Sequence, residues 1–203
     1  KQPKVQKHFA AMPWQDVSGF VTNLPGAIKA SDTVLKAIEF TILTAARSGE
    51  VRLATWGEIN FDKATWTIPA ERMKAGVEHR VPLSDRAVEI LKEIGVGDKD
   101  VLIFKGRKVG RPLSDMSLTT PLRRANLGIT VHGFRSAFRD WCGEATNTPR
   151  EVAERCLAHT VKDATERAYA RTDYFEKRRD IMNLWATYCS GGTTDNVVAI
   201  DQG

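Results

Sequence analysis

Apolar positions between Val34 and Leu43 repeat with a helical period: Val34, Leu35, Ile38, Ile42 and Leu43 fall on one stripe. Ser31 or Asp32 stands where such a helix takes its N-cap, and the stripe runs toward Arg47. Ser48 is placed to cap a second, short helix that carries Glu50. The period then shortens. Residues 65–70 (TWTIPA) and 79–84 (HRVPLS) read as two strands, and Lys74-Ala75-Gly76 between them reads as a hairpin connection. Asp85 opens a helix through Leu91, residues 101–104 (VLIF) suit a third short strand or extended segment, and Ser114 starts a helix toward Arg124. Further helices are expected at 132–145, 149–158 and 163–170. The last expected helix, near 174–189, brings Ile181, Leu184, Trp185 and Tyr188 onto one apolar face. The pattern predicts an α+β chain, mainly helical, with a small antiparallel sheet.

Composition adds bounds to this outline. Hydrophobic residues make up 42% and charged residues 27%, as in globular proteins that bury a true core. No apolar run reaches membrane-spanning length, so no membrane partner is expected. Three cysteines, Cys142, Cys156 and Cys189, are an odd number without metal-like spacing and suit a reducing compartment. No signal peptide is visible, and the opening KQPKVQKHFA, without Met, reads as a segment of a longer protein. Residues 1–13, rich in Lys and Gln, read as a linker or arm, and 14–190 as one domain. Residues 191–203 follow a glycine pair and read as a flexible tail, with the apolar run Val197-Val198-Ala199-Ile200 suited to docking on a partner.

The net charge of +5 says less than its distribution. Lys105, Arg107, Lys108, Arg111, Arg123 and Arg124 stand against Asp115 alone in one stretch of chain. Such a block neutralises phosphates and makes binding salt-dependent, although a solvated basic loop would have the same composition.

The stretch HGFRSAFRDW brings His132 and Arg135 three residues apart onto one helix face. Upstream lie Arg47, at the end of a helix, and Lys74, in the hairpin. Downstream lie His159 and three tyrosines: Tyr169, Tyr174 and Tyr188. Arginine forks hold phosphate oxygens in parallel pairs and stay protonated. A phenol can attack a phosphodiester once a base or cation lowers the cost of its ionisation. Tyr188 falls on the apolar stripe and reads as core, which leaves Tyr169 and Tyr174 as rival nucleophiles. The four histidines, His8, His79, His132 and His159, have no Cys or carboxylate partners at zinc-like spacing.

In this order the residues resemble the catalytic domain of the tyrosine recombinases, and among them the integrases of phages and genomic islands. The resemblance runs from about Met12 to Cys189 and implies the DNA breaking-rejoining fold. It matches the family's first arginine to Arg47 in TAARSGE, with Glu50 as its acidic partner, and the hairpin lysine to Lys74. The His-x-x-Arg box matches His132 and Arg135, and the later histidine matches His159. The nucleophile matches Tyr169, ten residues after His159. The implied activity is cleavage and rejoining of double-stranded DNA at attachment sites through a 3′-phosphotyrosyl link, by a homo-tetramer in the bacterial cytoplasm. The resemblance implies no metal or nucleotide cofactor, and further DNA-binding domains ahead of this one. A type IB topoisomerase-like relaxing enzyme, or a non-catalytic DNA-binding module, would share much of this pattern.

Overall fold

The computed structural model describes residues 10–159 and 173–193. The expected helix at 163–170, Tyr169 and the apolar run at 197–200 lie outside the described residues. Nine helices, in chain order, carry the described part of the molecule. They are α1 (Trp14–Thr22), α2 (Leu24–Ala27), α3 (Asp32–Thr44), α4 (Ser48–Arg52), α5 (Asp85–Ile94), α6 (Thr119–Arg124), α7 (Gly133–Ala145), α8 (Arg150–Cys156) and α9 (Phe175–Cys189). Three short strands, β1 (Ile59–Asn60), β2 (Thr65–Ile68) and β3 (His79–Pro82), form one antiparallel sheet in the order β1-β2-β3. Thr67 faces Arg80 and Ile68 faces His79 across β2 and β3.

The apolar stripe of α3 is wholly buried at Val34, Ile38, Ile42 and Leu43, and α9 packs across it. The indole of Trp185 on α9 donates to the Ile42 carbonyl at 2.9 Å, so the two helices share a polar lock inside an apolar contact. Trp185 also meets Phe138 and Trp141 of α7, with ring centroids 5.6 and 5.0 Å apart. Tyr188 joins this cluster and donates to the Trp14 carbonyl at 2.9 Å. Burial pushes its phenol up to about 12, which suits a structural role.

Several boundaries differ from the sequence reading. Helix α1 was not expected; Pro13 occupies its N-cap without a side-chain bond, so the usual start signal is missing. The third strand is Ile59–Asn60, while Leu102 makes only an isolated bridge to Thr55. Helix α6 starts at Thr119, not near Ser114. Pro121 lacks the N–H that an earlier start would require it to donate, so the proline falls within the first turn instead. Ser48 is the first helical residue of α4 rather than its cap. Arg47 holds the cap position, and Glu50 reaches back to its N–H at 2.8 Å.

The chain entering α1 touches the site end of α7. Thr130 donates its N–H to the Ala10 carbonyl at 3.0 Å. A Cβ at Gly133 would lie 2.5 Å from that same oxygen, so this position, between His132 and Phe134, admits only glycine without displacing backbone.

Candidate active site

Four segments meet at the expected site: the turn from α3 into α4, the β2–β3 hairpin, the start of α7, and the end of α8. Helix α7 is anchored away from the site by Phe134, which stacks on Phe20 at 5.5 Å, and by Phe138 in the tryptophan cluster. With those rings buried, Arg135 is directed into the protein, where it is 4% exposed. Its guanidinium donates to the Ala45 carbonyl and, at 2.5 Å, to the Leu157 carbonyl. Burial, and next the charge of Arg47, pushes Arg135 down to about 10, so it stays protonated at neutral pH. Its Nε has no partner among the described residues.

Two of the backbone turns that serve the arginines adopt the left-handed region without glycine. Ala45 has φ 49° and closes α3; Ala158 has φ 49° and follows α8. The Ala45 carbonyl accepts from Arg135, and the Ala158 carbonyl accepts from Nη2 of Arg47 at 3.5 Å. Left-handed alanines cost about 1 kcal/mol each, and such strain persists where the surrounding structure holds it in place. Arg47 is further fixed by Glu50, whose Oε1 accepts from Nη1 at 2.7 Å. Glu50 is itself buried, so the carboxylate faces this arginine rather than water. Arg72, from the hairpin, donates to the Glu50 carbonyl and to the Glu58 carboxylate, tying the hairpin to α4.

His132 is exposed at the N-terminal end of α7. Partial burial, then Arg135, Arg47, His159 and Lys74, pushes its imidazole below the usual histidine value. Those four neighbours are the other residues expected to take part in catalysis within the described part of the chain, so these five lie in one region. Lys74 is exposed in the hairpin, near Gly76 with its φ of 64°. His159 sits beyond α8 with Nε2 at 3.4 Å from Nη2 of Arg135. Tyr169 lies outside the described residues. Its rival Tyr174 is the N-cap of α9 with φ 55°, half-buried, with the Lys177 ammonium 5.7 Å from its ring centre.

The six cations of the basic block, Lys105, Arg107, Lys108, Arg111, Arg123 and Arg124, are all exposed, and none forms an ion pair among the described residues. Asp115, the lone acid of that stretch, pairs with Arg52 of α4 instead. Arg52 also donates to the Leu113 carbonyl at 2.5 Å, so the loop bearing the block is moored to the helix that carries Glu50.

Sequence reasoning missed two groups. His79 opens β3, and burial followed by the Arg178 charge pushes its imidazole down to about 3, against a hydrogen bond to the Cys156 backbone. It is therefore neutral and ties the hairpin strand to α8. Glu154 on α8 contacts His159 and Arg139. His79 acts across a tertiary contact, and Glu154 joins His159, five residues on in the chain, to Arg139 on another helix. Among the described residues, no group of His, Cys, Asp and Glu side chains is arranged to hold a metal ion, and no helix is long and apolar enough to cross a membrane.

Comparison with known proteins gives the family and the fold. The model of the "Phage integrase family" matches residues 16–176. The prophage integrase IntA of Escherichia coli (strain K12) is 37% identical over 163 residues, covering 77% of this chain and 39% of that protein. The integrase of Enterobacteria phage P4 is 30% identical over 201 residues, covering 90% of this chain and 46% of that protein. The chain thus spans less than half the length of these relatives. The integrase from mycobacterium phage Brujita has a similar fold, with a TM-score of 0.64 at 19% identity over 90% of this chain and 59% of that one. A lambda integrase (75–356) dimer bound to a COC′ core site gives a TM-score of 0.57 at 20% identity, over 85% of this chain and 62% of that one. With the family model matched from the first helix into the last, this chain belongs to the phage integrase family.

Proposed function

We propose that the chain is the catalytic part of a site-specific DNA recombinase that cleaves and rejoins attachment-site DNA. One observation carries the reading: Arg47, Arg135, His132 and His159 converge, with Lys74 on the facing hairpin. Two arginines and two imidazoles at one place suit a phosphodiester whose non-bridging oxygens gain charge during substitution. In this reading the Tyr169 oxygen attacks phosphorus and the bond to the 5′ oxygen breaks. The phenolic proton passes to a base, for which neutral His132 is suited, and Lys74 gives a proton to the departing 5′ oxygen. The products are a 3′-phosphotyrosyl link and a free 5′-hydroxyl. A 5′-hydroxyl from a partner strand reverses the same steps and completes the exchange.

The DNA partner is supported by the exposed basic block and by the core-site DNA in the lambda integrase structure. Action as a homo-tetramer, on integration or excision of a phage or genomic island in the bacterial cytoplasm, belongs to the same proposal. The test uses a nicked suicide substrate that traps the covalent link. Wild-type protein is expected to form a DNA adduct. Tyr169→Phe should form none while binding DNA as before. An adduct that survives in Tyr169→Phe and is lost in Tyr174→Phe would refute the assignment. Strand exchange between two sites separates a recombinase from a DNA-relaxing enzyme.

A further inference from the structure

Glu154 has no part in the chemistry above, yet its two carboxylate oxygens join two segments of the site. Oε2 accepts from Nδ1 of His159 at 2.5 Å, and Oε1 accepts from Nε of Arg139 on α7 at 2.6 Å. The backbone repeats the link, with the His159 N–H donating to the Glu154 carbonyl at 3.0 Å. On the far side of the ring, Nη2 of Arg135 meets Nε2. A guanidinium has donors and no acceptor, so there Nε2 of the neutral ring must accept. Both contacts require the same ring: proton on Nδ1, lone pair on Nε2. Which nitrogen of a neutral imidazole is protonated follows from the bond made by the other.

We propose that Glu154 is a positioning residue that selects the Nδ1–H form of His159 and turns its Nε2 toward Arg135 and the scissile phosphate. The cleavage part of this statement rests on the function proposed above. Arg139 occupies the second carboxylate oxygen and so hinders rotation of Glu154 away from the ring. Burial works against the Glu154 charge, but the hydrogen bonds from His159 and Arg139 outweigh it and hold the carboxyl below the usual range. It is therefore ionised at neutral pH. If the ring takes a second proton, Nδ1–H stays on Glu154 and Nε2–H becomes a donor to phosphate. The Glu154 contact is the same in both states, whereas acceptance from Arg135 by Nε2 belongs to the neutral ring alone.

The test combines imidazole nitrogen NMR with cleavage kinetics in the intact protein. Histidine is labelled with 15N, and the His159 signals are identified by their loss in His159→Asn. Wild type should show the neutral ring protonated on Nδ1. Glu154→Ala should lose that preference and cleave about ten- to a hundredfold more slowly at saturating DNA, the size of loss known for the orienting partners of metal-bound histidines. Its DNA affinity should be unchanged. Glu154→Gln, whose amide oxygen still accepts from Nδ1–H, should recover most of the rate. Wild-type His159 protonated on Nε2, or a Glu154→Ala protein cleaving at the wild-type rate, overturns the proposal. Should Glu154→Ala fail to fold, the wild-type ring still decides it. If wild type cleaves no DNA, the proposed function falls, and the positioning of His159 is judged on its proton alone.

Discussion

Arg135 and Lys74 serve the same phosphate in the proposed reaction, and the fold treats them in opposite ways. Arg135 is buried on a helix pinned by aromatic rings, and two backbone carbonyls hold its fork. Lys74 is exposed in a turn between two four-residue strands, with no ion pair among the described residues. The contrast follows from their tasks. A charge that stabilises the transition state works best when it is already oriented, because nothing then reorganises during reaction. A proton donor to a departing strand has to meet an oxygen that moves, and a surface lysine on a hairpin has that freedom. Burying Arg135 also costs desolvation, and its pKa is lowered by that burial and next by the Arg47 charge, with Glu50 and Glu154 acting the other way.

The hardest way to break this comparison is at its rigid end. Arg135→Lys should lower the cleavage rate by about a thousandfold, since a single ammonium cannot span both carbonyls and still face the phosphate. DNA affinity, measured alongside, should change little. Near-normal cleavage in that variant would remove the clamp from the mechanism. At the mobile end, Lys74→Ala should cost about a hundredfold on an ordinary substrate, within the range for loss of a general acid. A substrate with sulfur in place of the 5′ oxygen leaves without a proton and should restore the rate. Equal defects on both substrates would make Lys74 a phosphate contact instead.

The smallest effect is expected outside the site. Arg123→Ala and Arg124→Ala should leave the cleavage rate at saturating DNA unchanged. Each should weaken binding to every sequence alike and lower the salt dependence of binding by about one phosphate contact. A salt dependence identical to wild type would mark those arginines as a solvated surface.

The sequence reading succeeded where one segment holds its own signal. Helices α3 and α9 announce themselves by apolar stripes, α5 by its Asp85 start, and the β2–β3 hairpin by two short β-rich runs around Lys74 and Gly76. Helix α1 escaped because Pro13 supplies no capping side chain, and β1 because two residues are too few to show a period. The start of α6 was set by Pro121 rather than by the serine that seemed to announce it.

The same division runs through the site. Arg47 with Glu50, and His132 with Arg135, are three residues apart, so a single helical turn brings each pair together and the chain alone determines them. Arg135 meets carbonyls 90 and 22 residues away, and Glu154 is joined across 15 residues to Arg139 on another helix. Those contacts could not be read from residue types. Every residue has a backbone carbonyl, and what distinguishes those of Ala45 and Leu157 is only their direction. That direction is set by how α3 and α8 end and by how the aromatic core presses α7 against them. The sequence by itself determined which charged groups were available and which near neighbours would pair. The tertiary structure alone decided which backbone oxygens would fix them, because a hydrogen bond depends on position and angle that only the packed chain supplies.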